Sequence, residues 1–228
     1  MIVNPFRLFD SFPEVQVAFF AKTPALLGTN DEIDAQAAEA LGISHSVSAA
    51  QVHGNKTAIT HEDDSEFPDA DALVTAEHDL CLVTRWADCQ NFVVFAPKQK
   101  VIGVIHAGWR GLVKGVIPEH FKALETEWGI EPSDVFVGAG PSLCQKCAEF
   151  TDPAQELTGI DSRFFDGRNV DLRGIAEEQF NLVGVPNDHF ERIVDCTQCQ
   201  SNQYWSYRAN PSEVKNGGKN LTTIVRSL

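Results

Sequence analysis

The stretch from Asn91 to His106, N-F-V-V-F-A-P-K-Q-K-V-I-G-V-I-H, limits the fold more than any other part of the chain. Two runs of Val, Ile and Phe flank a polar turn near Pro97 to Lys100, so the segment reads as a β-hairpin. A strand with one wet face alternates apolar and polar side chains. These two do not, and they belong in the middle of a layered structure with both faces covered. The hairpin also sets two reactive groups side by side. Cys89 precedes its first strand and His106 ends its second, and a separation of 17 residues is what such a hairpin spans.

Seven further runs read as strands: V-Q-V-A-F-F, K-T-A-I-T, D-A-L-V-T, L-C-L-V-T, D-V-F-V-G-A, R-I-V-D and T-T-I-V-R. Three segments read as helices. The first covers residues 32–41, capped by Asp31 and closed by Gly42; the second begins near Pro118 and ends at Gly129; the third starts at Asp171. Strands and helices interleave without regular alternation, which points to an α+β fold with mixed or antiparallel sheets rather than a doubly wound one. Neither a repeat nor a linker interrupts the chain, so residues 1–228 are expected to form a single domain.

A net charge of −14 with 18 dispersed Lys and Arg argues against a nucleic-acid surface, which needs a basic stripe. A small anion in a local pocket stays open. No apolar run is long enough to span a bilayer, and the first residues lack a charged segment followed by an apolar one, so the expected location is the cytoplasm, away from membranes. Thiols there are kept reduced. The six cysteines therefore read as buried thiols, metal ligands or nucleophiles rather than disulfides. The sequence is silent on oligomeric state.

His53, in S-A-A-Q-V-H-G-N, joins Cys89 and His106 as a third candidate ligand. Nitrogen, sulfur and nitrogen donors suit zinc and leave a fourth position open. The same atoms support other readings. Cys89 could be a nucleophile with His106 as base and Asp88 or another carboxylate as orienter, or both could be packed core residues. A metal-bound thiolate is a poor nucleophile, so the two chemistries compete for one sulfur. G-W-R-G at 108–111 reads as a tight loop that offers the forked donor of Arg110 to a carboxylate or phosphate. Two C-x-x-C pairs, Cys144 with Cys147 and Cys196 with Cys199, read either as a four-cysteine zinc knuckle with an unusually long gap or as unrelated loop thiols.

Several strings together resemble one family. Q-V-H-G-N at 51–55, A-D-A-L-V-T at 70–75, A-D-C at 87–89, H-A-G-W-R-G at 106–111, G-P-S-L at 140–143, C-T at 196–197 and S-Y-R at 206–208 are similar, in order and spacing, to the multicopper polyphenol oxidase or laccase-domain family, also called the purine nucleoside phosphorylase or peptidoglycan editing factor family. The resemblance covers roughly residues 45–228. It implies an α/β/β/α sandwich with mixed sheets and a metal held by His53, Cys89 and His106, usually zinc, with copper as the alternative. It also implies phosphorolysis of adenosine, inosine, guanosine or methylthioadenosine, with adenosine deamination as a companion reaction. The partners would then be a nucleoside and phosphate, with Arg110 and Arg208 as the phosphate-binding pair and Asp88 moving protons for deamination. The editing-factor name implies instead an amidase acting on a peptidoglycan precursor, and a third reading is a metal-binding module without catalysis. Laccase chemistry needs many histidines around a copper cluster, and seven scattered ones with no H-x-H pair do not supply them.

The chain departs from the family pattern at the rim. The usual N-terminal R-x-G-G-V-S-like turn is replaced by A-K-T-P-A-L-L-G-T-N-D, and S-Y-R-R-D becomes S-Y-R-A-N, with Ala209 and Asn210. The G-P-C-C-Y-E-V-like string becomes C-Q-K-C-A-E-F, in which Cys147 and Glu149 match and Cys144 is new. Only that cysteine completes the first C-x-x-C.

Overall fold

In the computed structural model, which describes residues 1–22, 26, 28–64, 66–67 and 69–227, the hairpin lies where its composition requires. The strands are β1 (Ile2–Val3), β2 (Val15–Phe20), β3 (His45–Ala49), β4 (Thr57–Ile59), β5 (Glu66–Phe67), β6 (Ala72–Thr75), β7 (Leu80–Trp86), β8 (Gln90–Ala96), β9 (Val101–Ala107), β10 (Phe136–Ala139), β11 (Phe165–Asp166), β12 (Asn169–Val170), β13 (Phe190–Arg192) and β14 (Asn220–Arg226). The α-helices are α1 (Asn30–Glu39), α2 (Trp109–Val113), α3 (Val116–Trp128), α4 (Pro153–Glu156), α5 (Leu172–Val183) and α6 (Pro211–Lys215). One six-stranded sheet runs β1-β2-β14-β7-β3-β5 and a second runs β13-β10-β8-β9-β6-β4. Both are mixed. In the first, β7 pairs with β3 in parallel but with β14 antiparallel; in the second, β8 and β9 pair antiparallel while β6 and β4 run parallel.

The hairpin strands β8 and β9 sit at the centre of the second sheet, and their side chains divide between two apolar layers with the period of two that a strand imposes. Val93, Phe95, Ile102 and Val104 meet Phe19, Leu80, Leu82 and Ile224 of the first sheet. Phe92, Val94 and Ile105 point the other way, onto Ile117, Phe121, Ile175 and Phe180 of α3 and α5. A third layer packs Ile33, Ala37 and Ala38 of α1 on Ala18, Cys81, Val83 and Leu221. The order of layers is thus helix, sheet, sheet, helix, the α+β sandwich with mixed sheets that the resemblance implied.

Local signals explain most boundaries, with three corrections. The first helix is capped by Thr29 rather than Asp31, because Thr29 and Glu32 form a capping box that starts the helix two residues earlier. The helix expected near Pro118 starts at Val116, after Gly115 in the left-handed region at φ 76°, and Pro118 falls within the first turn, where its missing N–H is no loss. G-W-R-G is not a loop. Gly108 caps α2, and Trp109, Arg110 and Gly111 are its opening residues. The helix after Asp171 forms as read, with the Asp171 carboxylate accepting the Gly174 N–H at 3.0 Å.

Candidate metal centre

The site is assembled from three chain segments that meet at one end of β9. Its first segment, Q-V-H-G, leaves β3 under backbone strain, with Gln51 at φ 59° and His53 at φ 58°, in a region that non-glycine residues seldom occupy. Side-chain bonds hold the strained turn. The Gln51 amide donates to the Arg85 carbonyl at 2.5 Å and accepts the Arg85 N–H at 2.8 Å, pairing with β7 as another strand would.

Asp71, at the start of β6 and 2% exposed, is the hub. Its carboxylate accepts the backbone N–H of His53 at 3.0 Å and of Gly54 at 2.7 Å, and it accepts Nδ1–H of His106 at 2.9 Å. The His106 N–H also donates to the Asp71 carbonyl at 2.8 Å. One carboxylate therefore orients both histidines. Burial works against its charge, but the bonds from His106, Gly54 and His53 outweigh burial and hold Asp71 below the usual carboxylate range. With the Nδ1 proton of His106 fixed on Asp71, Nε2 of a neutral imidazole is left free as a ligand atom.

Cys89 enters from the β7–β8 connection directly after Asp88, another strained residue at φ 91°. In the hairpin register His106 lies opposite Asn91, so Cys89 falls just past the end of β9, as the spacing predicts. Its sulfur is 3.8 Å from Nε2 of His53, and the rings of His53 and His106 cross at 86° with centroids 4.9 Å apart. The three ligand atoms lie within 4.8 Å of one another. Burial raises the thiol pKa, yet the stronger pull of His106 and then His53 brings it down to about 6. Burial lowers His106, but Asp71 and Cys89 together raise it to about 9. Each of the two groups thus favours the charged form of the other.

Gly108 explains the glycine in H-A-G. Its φ of −65° suits any residue, so the requirement is space. A Cβ there would come within 2.6 Å of His53 Cδ2 and 3.1 Å of the Cys89 sulfur, in the middle of the donor cluster.

The three donors line a cavity of about 770 Å³ that Asp88, Trp109, Arg110, Phe150 and Arg208 also line. Arg110 lies over the Trp109 ring, its guanidinium carbon 4.0 Å from the centroid, and Arg208 donates from its guanidinium to the Glu149 carbonyl. Asp88 accepts the Thr197 hydroxyl at 2.6 Å on one oxygen and the Arg208 N–H at 2.7 Å on the other. It ties Cys89 to the loop that carries S-Y-R. The carboxylate that orients His106 is Asp71, not Asp88, and it was missed although it stands in the A-D-A-L-V-T string. An acid opening an otherwise apolar strand is the signal that could have found it.

Parts of the altered N-terminal segment, residues 23–25 and 27, lie outside the described residues. Among the described residues no third histidine joins the centre. His45, His61 and His78 are exposed, His120 is buried in α3, and His189 stacks on Phe136. No helix among them is long and apolar enough to cross a membrane.

Known proteins resemble the chain in sequence and in fold. The purine nucleoside phosphorylase ORF3 of Streptomyces griseus is 33% identical over 196 residues, which is 81% of this chain and 77% of that protein. Purine nucleoside phosphorylase SCO2081 of Streptomyces coelicolor is 30% identical over 195 residues, 81% of this chain and 78% of its own. Among solved structures, YlmD from Geobacillus stearothermophilus aligns with a TM-score of 0.85 at 23% identity, over 96% of this chain and 94% of that one, a likeness of fold. The model of the family described as multi-copper polyphenol oxidoreductase laccase matches residues 29–227, and the chain belongs to that family.

Proposed function

We propose that this chain is a zinc-dependent purine nucleoside phosphorylase, a single cytoplasmic domain over residues 1–228 that cleaves adenosine, inosine, guanosine or methylthioadenosine with phosphate and deaminates adenosine as a companion reaction. The observation that carries the reading is the convergence of His53, Cys89 and His106 in one cavity with Arg110 and Arg208. The names of the relatives support the reaction class. The donor set fits zinc: two imidazoles, one of them oriented by Asp71, one thiolate, and a glycine that keeps the space between them clear. Copper binds such donors at least as tightly and is the alternative metal. When bound, the ion would supply Lewis-acid polarisation and a lowered pKa for water.

The remaining work falls to the chain. In phosphorolysis an oxygen of phosphate bonds to the ribose anomeric carbon while the bond to the purine nitrogen breaks, giving ribose 1-phosphate and free base. Arg110 and Arg208 are the proposed phosphate partners, because a guanidinium fork matches two phosphate oxygens. Trp109, Phe150 and Tyr207 line the same cavity and supply aromatic surface for the base. Asp88 is the proposed proton carrier in deamination, since each of its oxygens keeps a second lone pair beyond the bond it already accepts.

A second reading is favoured by one observation. Cys89, His106 and Asp71 have the arrangement of a cysteine nucleophile, base and orienter, and the thiol titrates low, which would suit an amidase acting on a peptidoglycan precursor. The deciding experiment measures free base released from adenosine and inosine, with and without phosphate, by protein of known zinc content. Phosphate-dependent release supports the phosphorylase. No release by zinc-loaded protein, with hydrolysis of a muropeptide amide instead, overturns it. Metal retention without turnover of either substrate would leave a binding module. Cys89→Ser is expected to lose the zinc of this centre and the activity together; a variant that kept the same zinc content as wild type and lost only activity would make Cys89 the nucleophile.

A further inference from the structure

A second cluster of ligand atoms lies beside the cavity. Cys144, Cys147, Cys196 and Cys199 come from two distant segments, yet their four sulfurs lie within 4.8 Å of one another. The first pair brackets a 3-10 turn, where the Cys147 and Ala148 N–H groups bond back to the Cys144 carbonyl at 3.0 and 3.1 Å. The second pair sits on a turn closed by the Gln200 N–H on the Cys196 carbonyl at 2.9 Å. Backbone contacts join the two turns. Ser142 and Cys196 form a parallel bridge, and the Thr197 N–H reaches the Ser142 carbonyl at 3.3 Å. The Cys144 N–H donates to the Cys196 sulfur at 3.3 Å, a bond that favours a thiolate.

The spacing suits a metal rather than a disulfide. Zinc–thiolate bonds of about 2.3 Å place four tetrahedral sulfurs about 3.8 Å apart. Cys147 and Cys199 stand at 3.5 Å, and no pair in the cluster exceeds 4.8 Å. All six cysteines are unbridged, and the sulfur separation of a disulfide is close to 2 Å. Packing alone does not account for four thiols in one place, because Cys199 is exposed while Cys144, Cys147 and Cys196 pack on the helix-side core.

We propose that Cys144, Cys147, Cys196 and Cys199 hold one structural zinc ion in a closed four-thiolate site. The four thiols give up their protons as the ion binds, and the filled shell leaves no position for substrate. Its role is to fasten two loops. Leu143, Ala148 and Phe150 on one, and Tyr207 and Arg208 on the other, line the cavity, while Thr197 holds Asp88. The site stands apart from the assignment of His53, Cys89 and His106 and survives if that fails.

The test is zinc content by mass spectrometry after gel filtration under reductant, paired with X-ray absorption. Wild type is expected to hold two ions per chain and His53→Ala/Cys89→Ala one, with four sulfur neighbours at about 2.3 Å. Cys144→Ser/Cys199→Ser is expected to lose that ion. Should the serine variant fail to fold, His53→Ala/Cys89→Ala decides alone. Absence of zinc from it, or reaction of these four thiols with a thiol reagent as fast as free cysteine, overturns the proposal, as does a mass showing disulfides among them.

Discussion

Replacing Asp71 with Asn changes almost no volume but removes a charge and an acceptor at the point where the centre is tied together. The carboxylate now accepts three donors, with His53 and His106 sharing Oδ1 and Gly54 on Oδ2. An asparagine that keeps its oxygen toward His106 sets its NH₂ against the Gly54 N–H. The flipped amide sets it against both histidines. Either way a buried donor loses its acceptor, at a cost of about 1–3 kcal/mol, and the surviving bonds lose their charge assistance. The larger effect falls on the metal. With the Nδ1 proton no longer held by a carboxylate, His106 is a weaker ligand, and zinc affinity is expected to drop about 10- to 100-fold. That is about 1.4–2.7 kcal/mol of binding free energy. A chelator-competition titration near neutral pH measures it, with Cys89→Ala run alongside to mark the signal of this site. Urea unfolding of the metal-free proteins gives the structural share. If affinity stays within about threefold of wild type while stability falls, Asp71 only clamps the loop, and the orientation argument is wrong.

Three more predictions rest on single contacts. Gly108→Ala places a methyl 2.6 Å from His53 Cδ2, so the fold should persist while zinc-dependent turnover falls on the order of 100-fold; a fully active variant would show that the donor cluster does not need that space. Arg110→Lys replaces a fork with a point charge and should raise KM for phosphate by roughly tenfold, whereas an unchanged KM would remove Arg110 from the phosphate site. His120 is fully buried, its Nε2 has no hydrogen-bond partner among the described residues, and burial lowers its pKa to about 3. The unfolded state therefore binds the extra proton below about pH 6.5, so stability is full above that pH and declines toward pH 3 by up to about 1.4 kcal/mol per unit. His120→Leu should flatten that slope in urea titrations, and parallel curves would show that another group sets it.

How far the chain could be read from its letters depended on whether a signal was local. The β8–β9 hairpin was legible because both faces are apolar, and it carried the meeting of Cys89 and His106 with it. His53 was harder. Nothing in its spacing ties it to a hairpin 36 residues away, so donor type alone made it a candidate ligand and the family resemblance then implied its place beside the others. The strand that delivers it, β3, was missed because H-S-V-S-A mixes serines with two apolar residues, and it is stabilised by its neighbour β7 rather than by its own propensity. Helix α2 was missed because G-W-R-G carries two glycines. A Cβ on Gly111 would sit 3.2 Å from the Gly54 carbonyl, a tight tertiary contact that sequence cannot reveal. Asp71 left only a faint signal, an acid at the head of an apolar strand, and its role becomes plain through the three groups it serves.

The place of β14 in the first sheet has its own consequence. Residues 220–226 lie between β2 and β7, pairing antiparallel with both, and β2 and β7 do not touch each other in the sheet order. A ribosome making this protein therefore has to release residues 1–219 before that sheet can close. Until then two strands stand with unpaired edges, and the nascent chain is at its most vulnerable to association with another copy. Expression yield should be far more sensitive to lesions in T-T-I-V-R than to lesions in the exposed loops, since no earlier part of the polypeptide can complete the sheet in its stead.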